Sequence, residues 1–173
     1  NHGIEFYPSD YVNDPSIIAR HNKLCCINVA MSMDLTGQVA ADALPINYFS
    51  GVTGMVDFMR GSGQAEGGKS ILLITSTTQH GKVSRIVPML ADTAVVVPRR
   101  DLHYVVSEYG AVNLFGKSYQ ERAMAMISIA HPDFRNELFY EAKKMGLLGP
   151  DRTLKESIHG VYPVKLEEIR QID

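Results

Sequence analysis

The run Ser70-Ile71-Leu72-Leu73-Ile74-Thr75-Ser76 constrains everything around it. Seven uncharged residues with four consecutive aliphatic side chains read as a buried strand, and a buried strand needs neighbours to pair with and layers to cover it. The flanking sequence offers both. Leu24-Cys25-Cys26-Ile27-Asn28-Val29-Ala30-Met31 is a second apolar run of strand length, and Asp34-Leu35-Thr36-Gly37-Gln38-Val39 reads as a turn and a return strand. Val83-Ser84-Arg85-Ile86-Val87 alternates as a half-exposed strand would, joined to the buried one by a turn at His80-Gly81-Lys82. Ala94-Val95-Val96-Val97 and Tyr104-Val105-Val106-Ser107 are rich in β-branched residues and read as two more strands.

Helical signals bracket this strand-rich middle. Asp14 can cap free amides and Pro15 suits the first helical position, so Asn13-Asp14-Pro15 starts a short helix continued by Ile17, Ile18 and His21. From Ser118 the period becomes helical, with Ala123, Met124, Ile127 and Ala130 on one face and Glu121 and Arg122 on the other. Pro132 opens another helix, whose stripe of Phe134, Leu138, Phe139 and Ala142 runs until Gly146 ends it. These helices are expected to cover the sheet. Beyond Gly149-Pro150 the periodicity fades and the chain reads as a tail or linker.

Composition narrows the function classes. A chain of 173 residues supports one sizeable core. Seventeen basic against nineteen acidic residues leave no electrostatic footprint for nucleic acid. The adjacent Cys25 and Cys26 suit two faces of a buried strand better than a disulfide framework, which points to a reducing, cytoplasmic setting. No run approaches membrane-span length and no signal peptide opens the chain. The start at Asn1-His2-Gly3-Ile4, without methionine, reads as mid-domain sequence and suggests a fragment.

Chemistry concentrates in Ser50-Gly51-Val52-Thr53-Gly54-Met55-Val56-Asp57-Phe58, where glycines and small residues run into a short helix expected over Met55 to Arg60, ended by Gly61 and Gly63. Glycine permits close approach, and amides opening a helix can face an anion or a developing oxyanion; an ordinary loop-to-helix turn is the alternative. Gly63-Gln64-Ala65-Glu66-Gly67-Gly68-Lys69-Ser70 matches the phosphate-loop pattern, but helix-like sequence precedes it and a strand follows, the reverse of what phosphate cradling needs. The six histidines lack ligand spacing, and there is no nucleophile elbow. Glu108 follows an apolar strand, where α/β sheets present functional side chains, or is simply a solvated carboxylate. Lys69, Arg99 and Arg100 are phosphate contacts or solvated cations, and Asn13 is a site residue or a turn residue.

Seven segments in order carry a resemblance: Tyr11-Val12-Asn13-Asp14-Pro15, Met33 to Val39, Ser50 to Gly61, Gly67-Gly68-Lys69-Ser70, Ser84-Arg85-Ile86-Val87-Pro88, Tyr104 to Gly110, and Ile129 to Arg135. Together they resemble the C-terminal half of acetyl-CoA hydrolase/transferase family proteins, in the manner of 4-hydroxybutyrate CoA-transferases. The resemblance implies an α/β fold, a three-layer sandwich with a mixed sheet, as in CoA-transferases and sugar-phosphate isomerases. It implies a C-terminal CoA-transferase domain over residues 1–149, with 150–173 a tail or linker that leads, in fused members, to an acetyltransferase domain. It also implies ping-pong transfer through acyl-glutamyl anhydride and glutamyl-CoA intermediates, with the attacking glutamate upstream of Asn1.

By the same resemblance Gly54 offers an oxyanion amide, Asn13 and Glu108 line the active site, and Gly51, Thr53, Met55 and Lys69 join Gly54 as CoA contacts. Thr53 stands where the family has the middle glycine of G-x-G-G, a costly exchange if that position needs positive φ. Coenzyme A, as acyl-CoA substrate, is the group implied, with small carboxylates as co-substrates, no metal, the upstream half of the polypeptide as partner, and a homo-oligomer at full length. An acetyl-CoA hydrolase on the same scaffold and a non-catalytic acyl-CoA-binding module remain the rival readings.

Overall fold

A computed structural model describes residues 3–44, 47–48, 50–51 and 53–154. Two short helices open it, α1 (Ser9–Val12) and α2 (Pro15–Ile18). The Asp14 carboxylate accepts from the Ser16 amide and Pro15 sits in the first turn, as the start signal requires. The chain then enters β1 (Cys25–Val29), turns through β2 (Ser32–Asp34) and β3 (Val39–Ala40), and makes a small hairpin of β4 (Ala43–Leu44) and β5 (Asn47–Tyr48). Next come α3 (Met55–Gln64), the central strand β6 (Lys69–Leu73), and the short β7 (Thr77–Thr78), β8 (Val83–Ser84) and β9 (Ile86–Val87). The hairpin β10 (Tyr104–Ser107) and β11 (Gly110–Asn113) leads to α4 (Tyr119–Ile129) and α5 (Pro132–Lys144).

The principal sheet is mixed, in the order β1-β6-β10-β11: β6 pairs in parallel with both β1 and β10, and β11 returns antiparallel on β10. Each parallel step is a long crossover, and the one from β1 to β6 travels through α3. A second sheet, β3-β2-β9, continues from the carboxyl ends of these strands. Its turn is built by Asp34, only 1% exposed, whose carboxylate accepts from the Thr36 amide and hydroxyl and from the Gln38 amide and side chain. Gly37 completes the turn with φ 90°.

One face of the principal sheet is packed and the other is open. Leu72, Val105 and Val112 point into a core shared with Met59 of α3 and with Met126, Ile127 and Ile129 of α4. On the opposite face, where Cys25, Ile27 and Val29 align with Lys69, Ile71 and Leu73, Ile27 is 59% and Val29 62% exposed. The described residues therefore show helices on one side of the mixed sheet only, although parallel strands are normally covered on both. Cys25, expected inside, lies on the open face and is exposed; both cysteines are free.

Four expectations need correction. The helix starting at Met55 does not stop at Gly61 and Gly63 but runs through both to Gln64. These glycines serve close approach: a Cβ at Gly61 would fall on the Ile18 side chain, and one at Gly63 would lie 2.8 Å from Cε1 of His103. Ala94 to Val97 forms no strand beyond an isolated bridge from Val97 to Val39. The alternating Val83–Val87 run is two strands, because Arg85 marks the passage from a hairpin with β7 to the second sheet. Arg122, placed by periodicity on a polar face, is only 7% exposed; its Nη1 donates to the Thr36 carbonyl and its Nε to that of Lys117. Every residue of α4 from Arg122 to Ile129 is buried, so α4 has no exposed face there for a polar stripe. Residues 155–173, which hold most of the expected tail, lie outside the described residues.

Candidate active site

α3 leads into β6 through four residues and packs on β6 and β1, so its N-terminus lies toward the carboxyl ends of the parallel strands. That is the edge of an open α/β sheet where ligands bind. Gly54 caps α3 with φ −74° and ψ 14°, an ordinary conformation for any residue. What makes it glycine is space: a Cβ there would lie 2.6 Å from Nδ2 of Asn13. Asn13 reaches this point because it closes α1 and directly precedes the Asp14 cap of α2, and α2 rests on α3 through the contact of Ile18 with Gly61. Among the described residues the Asn13 side-chain amide makes no hydrogen bond, which leaves its donors and acceptor for a ligand. The structure thus brings together Asn13 and Gly54, which are 41 positions apart in the chain.

Gly51, Thr53 and Met55 line a recess of about 360 Å³ beside this contact. The Met55 amide donates to Thr53 Oγ1 at 3.4 Å, so Thr53 partly caps the helix that Gly54 has no side chain to cap. Two carboxylates that sequence reasoning passed over face the same space. Asp57, in the first turn of α3, lines both this recess and a shallow one containing Asn13, and Asp42 lines the first, its Oδ1 buried and unpartnered among the described residues. An acid in a first helical turn is ordinary dipole complementation, so Asp57 carried no distinguishing signal. Together they set two hydrogen-bond-accepting side chains on the wall of the recess.

Glu108 sits at the carboxyl end of β10 in the turn to β11, exposed, with Oε2 accepting from the Ser76 amide at 2.8 Å. The turn is fixed by Ser107, whose hydroxyl donates to the Ile129 carbonyl and accepts from the Tyr109 amide. Glu108 therefore lies at the same edge of the sheet as the Gly54 loop. Lys69 does not. It opens β6 opposite Cys25, at the other end of α3 from Gly54, and its side is the amino edge of the strands. Arg99 is engaged with Thr36 Oγ1 at 2.6 Å and stacks over Tyr119. The phosphate-loop match spans the end of α3 and the start of β6, the order that disqualifies it. Among the described residues no cluster of His, Cys, Asp and Glu is placed to hold a metal ion, and no helix is long and apolar enough to cross a membrane.

The mixed sheet with helices against it is the α/β architecture also found in a solved 4-hydroxybutyrate CoA-transferase. The chain belongs to the acetyl-CoA hydrolase/transferase family, matching the C-terminal domain of that family over residues 1–142. It is 46% identical over 142 residues to 4-hydroxybutyrate coenzyme A transferase of Clostridium kluyveri, covering 82% of this chain and 33% of that one. Its fold matches the crystal structure of RipA from Yersinia pestis with a TM-score of 0.77 at 48% identity, over 82% of this chain and 32% of RipA. A 4-hydroxybutyrate CoA-transferase from Porphyromonas gingivalis matches with a TM-score of 0.66 at 39% identity, over 84% of this chain and 33% of that one. The chain thus spans about a third of the length of the relatives it matches.

Proposed function

We propose that this chain is the C-terminal domain of an enzyme that moves CoA between an acyl-CoA thioester and a small carboxylic acid such as acetate or 4-hydroxybutyrate. The observation that supports this most is the contact of Gly54 with Asn13 at the start of α3, a gap that a single Cβ would close. There the opening amides of α3 and the unpaired Asn13 amide would meet the thioester oxygen as it becomes an oxyanion. The attacking group is a glutamate carboxylate from a segment upstream of this one. Its oxygen adds to the thioester carbon and the CoA thiolate leaves, giving an acyl-glutamyl anhydride. The thiolate then attacks the glutamyl carbonyl and expels the acyl group as a carboxylate, leaving glutamyl-CoA, and an acceptor carboxylate reverses both steps. Glu108 lines the site and is not the attacking group.

The hydrolase reading differs only in water intercepting glutamyl-CoA. Acyl exchange to acetate, measured beside free CoA release in the full-length protein, separates the two: release that no carboxylate acceptor diverts would refute transfer. The 173-residue chain alone should show no turnover, and transferase activity of the pure chain abolished by Glu108→Gln would overturn the role given to Glu108. Cytoplasmic location, a homo-oligomer at full length and a following acetyltransferase domain belong to the same proposal.

A further inference from the structure

A second cavity, of about 380 Å³, shares no lining residue with the recess beside Gly54, and Arg85 is the one charged residue among those lining it. The Arg85 backbone is pinned: its amide donates to the Ser76 carbonyl, and its carbonyl accepts from the Met33 amide and the Ser32 hydroxyl. Its guanidinium is not. Among the described residues Nη1 makes a single long bond of 3.3 Å to the Met31 carbonyl, and Nε is buried with no partner. Among the described residues no carboxylate pairs with Arg85. A partly buried cation with most of its five donors unused is an incomplete arrangement, because burial costs a charge its hydration unless a counter-charge replaces it.

The walls state what would complete it. Met31, Val83, Val87, Met89 and Leu90 supply apolar surface around the single cation. The hydroxyls of Ser32, Ser84 and Thr93 already donate to backbone carbonyls, leaving Thr78 and Gln79 as the polar side chains with donors to spare. Gln79 is held in the left-handed region, φ 52°, within the hairpin turn at the cavity rim. One planar cation, two neutral donors and a short aliphatic lining fit a carboxylate head with a short hydrocarbon tail, since a guanidinium binds a carboxylate through two parallel hydrogen bonds.

We propose that the Arg85 cavity is a binding site for a short-chain aliphatic carboxylate, distinct from the Gly54–Asn13 site. It stands on the cavity's own geometry, so failure of the transfer reading leaves it intact. A path to the other site exists nonetheless: Ser76 accepts from the Arg85 amide through its carbonyl and donates to Glu108 through its amide.

The test is a titration of the 173-residue chain with sodium butyrate at constant ionic strength, read by amide shifts in a nitrogen–proton correlation spectrum. The expected result is saturable shifts at Met31, Gln79, Ser84 and Arg85, absent with sodium chloride and with butyramide, the neutral analogue. Arg85→Gln should weaken the midpoint about tenfold or more, the loss expected when hydrogen bonds to a charged group are removed, and Arg85→Lys should recover part of it. Non-saturable shifts, equal binding of butyramide, tighter binding of inorganic phosphate than of butyrate, or an unchanged midpoint in Arg85→Gln would each overturn the proposal. Should Arg85→Gln fail to fold, the comparison of butyrate with butyramide and phosphate on the unaltered chain decides alone.

Discussion

Gly54→Ala isolates function from stability at the centre of the site. The backbone of Gly54, φ −74° and ψ 14°, accepts alanine without strain. Losing glycine's flexibility in the unfolded chain stabilises, and losing a preferred cap destabilises, each by less than about 1 kcal/mol. The new methyl would lie 2.6 Å from Nδ2 of Asn13, whereas ordinary contact begins at 3.4 Å, so the Asn13 amide must retreat by about 0.8 Å. That retreat is cheap for the fold, because the Asn13 side chain makes no hydrogen bond among the described residues. Under the proposed transfer reaction it is expensive for catalysis, since a displacement near 1 Å in a positioning group costs up to about 100-fold in rate. The expected outcome in the full-length enzyme is a loss of about 10- to 100-fold in kcat/KM for acyl exchange with Tm within about 2 °C of the parent. Asn13→Ala should show a similar loss, and adding Gly54→Ala to it should cost little more, because the displaced amide is already gone. Full activity in Gly54→Ala at unchanged Tm, or additive losses in the double variant, would refute the shared-site reasoning.

Other outcomes follow from the same contacts. Gly61→Ala gains helix propensity of about 1 kcal/mol but overpacks Ile18, at a cost of about 1–3 kcal/mol; thermal unfolding should show a net fall in Tm, and a rise would mean that α2 moves aside freely. Asp34→Ala removes an acceptor of four hydrogen bonds in a buried turn and should destabilise by about 3 kcal/mol or more in urea titrations. Burial against Gly63 and Phe115 holds the His103 imidazole below its usual pKa, with Asp101 opposing weakly. The unfolded chain therefore binds that proton more readily than the folded one, and stability should decline as pH falls below the ordinary histidine value. Comparing Tm at pH 7.5 and 5.5 in the parent and in His103→Gln checks this, the variant being expected to lose part of the pH dependence.

Much of the fold was legible because its signals are local. The apolar runs Leu24–Met31 and Ser70–Ser76, the Asp14-Pro15 start and the helical period from Ser118 each act over a few residues, and a strand or helix forms at each, although the strands run only over Cys25–Val29 and Lys69–Leu73. Where neighbours distant in sequence decide, local reading failed. Gly61 and Gly63 look like helix ends until Ile18 and His103 are placed against them. Ala94 to Val97 has strand propensity but among the described residues finds only one bridging partner, and Arg122 looks exposed until the carbonyl of Thr36, 86 positions away, accepts its hydrogen bond. The site divides the same way. Asn13, Gly54 and Glu108 reach the carboxyl edge of the sheet, whereas Lys69 belongs to the opposite edge because α3 intervenes between it and Gly54. Asp42 and Asp57 carried no pattern of their own, and only the folded recess sets them side by side.

The passage of α3 through Gly61 and Gly63 has a mechanical consequence. At both points the helix meets its neighbours with bare backbone, so no compressible side chain lies between α3 and Ile18 or His103. The Arg60–Asp101 ion pair, at 2.8 Å, braces the same helix from the side. Asn13 sits one residue before the Asp14 cap of α2, and Gly54 opens α3, so the two site residues ride on a bracket with almost no play. If the proposed transfer reaction holds, drift over evolution, or an engineer seeking a longer acyl chain, has little to gain by sliding these helices apart. The accessible route to a new substrate is to recut the rim residues around them, Thr53, Met55 and Asp42, while the bracket keeps its gauge.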